Sequence, residues 1–201
     1  MIARTLEKRR PTLADLIPQT LAAELALPVL FAGFIGLFAQ IAVRLPFTPV
    51  PLTGQTFAVL LGGAALGWRR SATGSLLYLV AGMIGVPWFA GGTGGFSIIN
   101  SPSFGYLIGF IVAGSLVGWL ASRGLDRGPL RTAGVMVVGN IVIYGFGAFV
   151  LAISLHLGFS STMALGVTPF LIGDFLKLVL AAILLPGAWY AIGRYFPEAA
   201  R

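Results

Sequence analysis

The chain has 201 residues, of which 57% are hydrophobic and only 9% charged, with a net charge of +7. Ordinary soluble domains carry about 25% charged residues, so this chain has too little polar surface to cover its core in water, and the bilayer is the solvent that fits. A net positive charge can signal nucleic acid, but here the charges sit in short loops between apolar runs, which excludes a nucleic-acid-binding domain. There is no Cys, so disulfides, thiolate metal sites and thiol nucleophiles are excluded.

The chain opens with a basic stretch, Lys8-Arg9-Arg10, followed by Pro11 and Pro18. A cleavable signal needs a short apolar region and a small-residue cleavage site, and neither follows. Residues 1–25 therefore read as a cytoplasmic amphipathic lead-in. The first span is predicted over Leu25–Leu45, long enough for the roughly 20 apolar residues a crossing needs. Its Ala32 and Gly36 form a small-xxx-small pair, a pattern that lets helices approach closely. Pro46, Pro49 and Pro51 then break the chain, because each removes an amide donor and restrains the residue before it.

The second span, Gln55–Trp68, is short and reads as tilted, re-entrant or covered by neighbours. Arg69 and Arg70 end it, and a third span runs over Ser71–Val86. The segment 87–103, PWFAGGTGGFSIINSPS, is uncharged and rich in Gly and Ser. The fourth span is Phe104–Ser122, followed by a loop with Arg123, Asp126, Arg127 and Arg131. The fifth is Thr132–Leu155. A polar, Gly-containing link leads to the sixth, Pro169–Ile192.

With six spans, the N-terminus, loops 2–3 and 4–5 and the C-terminus share one side. They hold Arg4, Lys8, Arg9, Arg10, Arg69, Arg70, Arg123, Arg127, Arg131, Arg194 and Arg201, which is 11 of the 13 Lys and Arg residues. That asymmetry is the positive-inside pattern, and it predicts an all-α, polytopic membrane protein of six transmembrane helices, N-in and C-in. The domain reading is a lead-in over 1–25, one membrane domain over 26–196 and a cytoplasmic tail over 197–201.

Two basic residues fall outside the cytoplasmic set. Lys177 lies inside span six, three positions after Asp174, so the two share a helix face. Ionisable groups at membrane depth are costly and functional by default. The plainer reading is a structural ion pair. The sharper one is a clamp for a small polar group with both N–H and C=O, since Asp offers acceptors and Lys donors. Arg44, at the end of span one, reads as snorkelling to headgroups or as meeting a ligand carboxylate. His156, the only His, is assigned nothing.

Loop 87–103 is long for a connection without structure of its own, which favours a lid. Its Trp88 also suits a headgroup-level anchor. Residues 46–57, PFTPVPLTGQTF, read equally as a pocket wall or a rigid turn. No GxxxxGK[ST], HExxH or GxSxG motif is present, and no Ser has an evident base. An enzyme reading, such as an intramembrane hydrolase, therefore lacks its nucleophile, and no catalytic residue, metal ligand or cofactor is expected.

Three long stretches, PFTPVPLTGQTFAVLLGGAALG (46–67), GSLLYLVAGMIGVPWFAGGTGGFSIINSPSFGYLIGF (74–110) and IGDFLKLVLA (172–181), resemble the BioY family. These are the biotin-specific S components of energy-coupling factor (ECF) vitamin transporters, and the resemblance runs from about Leu30 to Leu185. It implies a six-helix S-component fold in a prokaryotic plasma membrane, with an outward pocket capped by loops one, three and five. It implies biotin as the ligand, with Asp174 and Lys177 on its ureido ring. It carries over Asn100, Gln55 and Tyr106 as polar loop positions, with Trp88 and Phe89 on the thiophane ring and tail. Where many relatives read GPTGGYLIGF, this chain has Ser101-Pro102-Ser103-Phe104-Gly105-Tyr106. Ser101 and Ser103 remain hydrogen-bonding candidates, and the valerate carboxylate is left to Arg44 or the loop-three amides. The resemblance further implies a separate transmembrane coupling subunit with cytoplasmic ATPases, or solo transport in some members. Ala32 and Gly36 are candidates for the docking face, with packing inside the bundle as the equal alternative. An S component for a different vitamin is the competing assignment.

Overall fold

The computed structural model describes residues 10–195. Arg4, Lys8, Arg9, Arg201 and the tail 197–201 lie outside the described residues. A 3-10 turn, Leu13–Leu16, precedes the first helix. Thr12 caps it, its amide and hydroxyl both donating to Asp15 Oδ2 at 2.9 Å. Helix α1 spans Leu21–Ala39, capped by Thr20, whose side chain accepts the Ala23 amide. It thus begins inside the segment assigned to the lead-in and ends before Leu45. There the chain enters a two-residue strand, β1 (Ala42–Val43), antiparallel to β2 (Leu52–Thr53). The proline-rich connector closes this small ribbon.

Helices α2 (Gln55–Leu66) and α3 (Trp68–Met83) follow, separated only by Gly67. That residue sits at φ +80°, a conformation open to glycine at little steric cost, so the chain reverses within one residue. At 12 residues, α2 is about 18 Å long, short of the roughly 30 Å hydrocarbon layer, and its neighbours bury most of it. After a long loop come α4 (Phe104–Ala121), α5 (Pro129–Leu155), α6 (Phe159–Gly166) and α7 (Leu171–Tyr195). The six predicted spans correspond in order to α1, α2, α3, α4, α5 and α7. Among the described residues, four stretches are long and apolar enough to cross a membrane: α1, α4, α5 and Phe159–Tyr195.

Helix α4 packs against α2, α3 and α5, while α1 lies on α3, and α7 on α5 and α2. Glycine permits the closest of these approaches. A methyl group on Gly105 would sit 2.3 Å from the Phe146 carbonyl oxygen on α5, so α4 and α5 meet backbone to backbone, as membrane helices do at small residues.

The basic segments gather at one end of the bundle. The Arg10 amide donates to the Ser122 carbonyl at 2.8 Å, and Arg127 Nη2 to the Pro11 carbonyl at 3.1 Å. Trp189 of α7 donates to Asp126 at 2.6 Å. Arg70, opening α3, pairs with Asp15 at 2.8 Å and with Glu24 of α1. By the positive-inside rule this is the cytoplasmic end. Burial opposes ionisation of Asp15, but the Thr12 amide and the Arg70 guanidinium outweigh it and hold its carboxyl below the usual carboxylate range.

Three features add to the sequence reading or decide between its alternatives. The polar link after span five contains α6, held by the Thr48 hydroxyl donating to the Leu165 carbonyl at 2.7 Å and the Tyr106 hydroxyl to the Gly166 carbonyl at 2.7 Å. His156 is the left-handed C-cap of α5, at φ 52°. Ala32 and Gly36 do not form an outward face. Ala32 is fully buried, and a methyl on Gly36 would lie 3.2 Å from the Trp88 ring. The close approach that small residues allow is met inside the molecule.

Candidate functional site

The end of the bundle away from the basic loops holds a cavity of about 390 Å³, within the roughly 300–1,000 Å³ usual for small-molecule sites. Loop 40–54, loop 87–103 and the start of α7 surround it, and α2, α4, α5 and α7 supply its floor.

The floor is a charged network. Asp174 lies in the first turn of α7 and is 5% exposed. Its Oδ1 accepts from Lys177 Nζ at 2.8 Å and from the Thr56 hydroxyl at 3.1 Å, while Oδ2 accepts from the Tyr144 hydroxyl. Lys177 Nζ also donates to the Thr53 carbonyl at 2.7 Å and to Thr56 Oγ1 at 2.9 Å. The helical i, i+3 spacing brings the two charges together. The first turn of α2 and the end of β2 complete the shell. All three ammonium protons are engaged, so a carbonyl arriving in the cavity displaces or shares one of these bonds. Asp174 Oδ2, with one donor, keeps acceptor capacity for an incoming N–H.

The walls are mostly apolar. Phe89 is 3% exposed and meets Tyr78 edge-on, ring centroids 5.5 Å apart. Tyr106, Phe110 and Phe170 line the cavity as well. Ser101 and Ser103 sit on the rim, and Arg44, exposed, stands at the mouth, making no ion pair with a described residue.

The structure thus brings Asp174, Lys177, Gln55, Tyr106, Phe89, Ser101 and Ser103 to one cavity. It separates Asn100, which ends a 3-10 turn (Phe96–Asn100) and is exposed off the cavity. It also separates Trp88 from its neighbour Phe89. Trp88 turns inward as a strut, its indole donating to the Tyr78 carbonyl at 2.9 Å. Gln55 lines the cavity, yet both ends of its amide are spoken for. Nε2 donates to the Tyr78 hydroxyl at 2.8 Å, and Oε1 accepts from Thr53 at 3.0 Å. The Tyr78 hydroxyl in turn donates to the Trp88 carbonyl at 3.2 Å, and Gln40 Nε2 reaches the same carbonyl at 3.2 Å. Gln55 therefore belongs to a brace that fixes loop 87–103 over the cavity.

Thr56, Tyr144 and Phe170 are among the lining residues that the sequence reading did not single out. Thr56 stood inside a quoted motif, one position after Gln55. Tyr144 has Asn140 one turn before it on α5, and a polar stripe in an apolar span is the signal that would have found it. Among the described residues no group of His, Cys, Asp and Glu is arranged to hold a metal ion.

A bundle of apolar helices with a charged network flooring a largely apolar cavity defines a multi-pass membrane protein built around a small-molecule pocket. The chain belongs to the BioY family, whose model matches residues 8–194. It is 37% identical over 171 residues to the biotin transporter BioY of Rhizobium etli, covering 80% of this chain and 90% of that protein. It is 34% identical over 142 residues to the biotin transporter BioY of Thermotoga maritima, covering 71% and 82%. Its fold is that of a solved protein described as the S-component for biotin from an ECF-type ABC transporter. That match has a TM-score of 0.74 at 22% identity and covers 82% of this chain and 89% of the other.

Proposed function

We propose that this protein is the membrane-embedded substrate-binding subunit of a vitamin uptake transporter, taking up biotin from outside and delivering it toward the cytoplasm. The observation that carries the reading is the Asp174–Lys177–Thr56–Tyr144 network at the floor of an otherwise apolar cavity. A ureido ring has two N–H donors and one C=O acceptor. Asp174 Oδ2 accepts from the ring, and Lys177, sharing or giving up one of its present bonds, donates to its carbonyl. Charge-assisted bonds of this kind are stronger than neutral ones, and the dry walls raise their weight. Phe89 and Phe170 pack on the thiophane ring. The valerate chain points to the mouth, where Arg44 is the cation placed to meet a carboxylate.

The names of the relatives support the ligand, and family membership supports the transport role. An ECF module is the partner this reading calls for, as a separate coupling subunit with cytoplasmic ATPases, with transport without them as the alternative. Titrating purified protein in detergent with biotin, thiamine and riboflavin tests the assignment. Tight binding of biotin alone supports it. Equal or absent binding in a monodisperse sample overturns it.

A further inference from the structure

Beneath the floor network lies a second, smaller cavity of about 10 Å³. Thr56, Asp174 and Lys177 of the network line it together with Asn140 of α5, Leu60 and Met136. Asn140 sits one helical turn below Tyr144, so the same face of α5 presents a hydroxyl to Asp174 and an amide to the space below. Asn140 Oδ1 is buried and has no hydrogen-bond partner among the described residues. Leaving a buried amide oxygen unbonded is costly, and buried polar atoms are almost always satisfied by protein or by ordered water.

We infer that a single water molecule occupies this cavity and bridges Asn140 Oδ1 to the network, which makes Asn140 a positioning residue for the ligand-binding pair. The volume is that of about one water, near the roughly 10–15 Å³ needed to hold one. The partners are of the right kind. The water donates one O–H to Asn140 Oδ1. Thr56 Oγ1, which donates to Asp174 and accepts from Lys177, retains a lone pair for the other. The bridge holds the network from its cytoplasmic side and leaves its upper side to the ligand. An apolar residue in place of Asn140 would close the cavity and release that support.

The role of Asn140 in binding rests on the assignment of Asp174 and Lys177 to the ligand, so the test separates the two. A crystal structure of the ligand-free protein, at a resolution that orders water, is expected to show density within hydrogen-bonding distance of Asn140 and Thr56. That density disappears in Asn140→Leu. Biotin affinity in Asn140→Leu falls about 3- to 10-fold, the effect of one ordinary hydrogen bond. Asn140→Ser, which leaves room for a second water, keeps it. The fall is absent in an Asp174→Asn background, as coupling through one network requires. An empty cavity overturns the inference whatever the ligand. So does full affinity in Asn140→Leu. If the wild type binds no biotin, the ligand assignment fails while the density still decides the water.

Discussion

Replacing Asp174 by Asn removes one charge and changes little else in size. In the wild type the carboxylate accepts three hydrogen bonds, from Lys177, Thr56 and Tyr144, and is 5% exposed. An amide offers one oxygen. Its NH2 group must then face either the Tyr144 hydroxyl or the Lys177 ammonium and Thr56. Lys177, whose side chain is 27% exposed, loses its counter-ion. The ligand loses a charged acceptor, and a hydrogen bond to a charged group contributes about 1.5–3 kcal/mol. At 1.4 kcal/mol per factor of ten, that is about a 10- to 150-fold loss of biotin affinity. Isothermal titration in detergent measures it, with size exclusion to show that the variant stays monodisperse. An affinity within twofold of wild type would refute the assignment of Asp174 to the ligand. Lys177→Met is the companion. Weakened binding by a folded, monodisperse protein supports the clamp, whereas loss of folding returns the pair to a structural ion bridge.

Gly82→Ala tests the wall. Its new methyl would lie 2.1 Å from the Phe89 ring, and overpacking of this kind costs about 1–3 kcal/mol. Phe89 must move, so biotin binding weakens and the melting temperature drops. Gly33→Ala, with nothing within 4 Å, changes neither. Retained affinity in Gly82→Ala would show that Phe89 is no part of the site. At the cytoplasmic end, the lowered Asp15 carboxyl stabilises the fold fully above its unfolded value of about 3.9. That contribution fades as pH falls through the lower folded value. Thermal unfolding followed from pH 7 down to pH 3 should show a loss that Asp15→Asn lacks. The variant itself costs about 1 kcal/mol at pH 7, the pair being partly exposed. Parallel profiles for both proteins would contradict the role given to Asp15 and Arg70.

The helix count was legible because charge and hydrophobic length act over whole segments. Only six spans put 11 basic residues on one side. Asp174 and Lys177 were legible because two charges in an apolar span need a reason, and a spacing of three gives them one face. Their uncharged partners were not, since a Thr or a Tyr in a membrane helix raises no comparable cost. Ala32 and Gly36 state that something approaches α1 closely, but only the fold shows that at Gly36 it is Trp88. Trp88 and Phe89 are adjacent, yet a turn of the loop sends one into the bracing layer and the other into the cavity. Helix α6 escaped notice because eight residues carry too little periodicity to stand out, and its place depends on bonds from Thr48 and Tyr106, far away in sequence.

The central claim is that the floor network reads the ureido ring. The most direct test compares biotin with the diamine obtained by opening that ring, titrated against the same protein sample. The diamine keeps the thiophane ring and the valerate carboxylate but has no urea carbonyl, and it carries positive charge toward Lys177. The account expects the diamine to bind at least about 100-fold more weakly, since a site built to hydrogen-bond a group rejects the analogue lacking it. Equal affinity for the two would contradict it and move the recognition of this ligand to the mouth of the cavity.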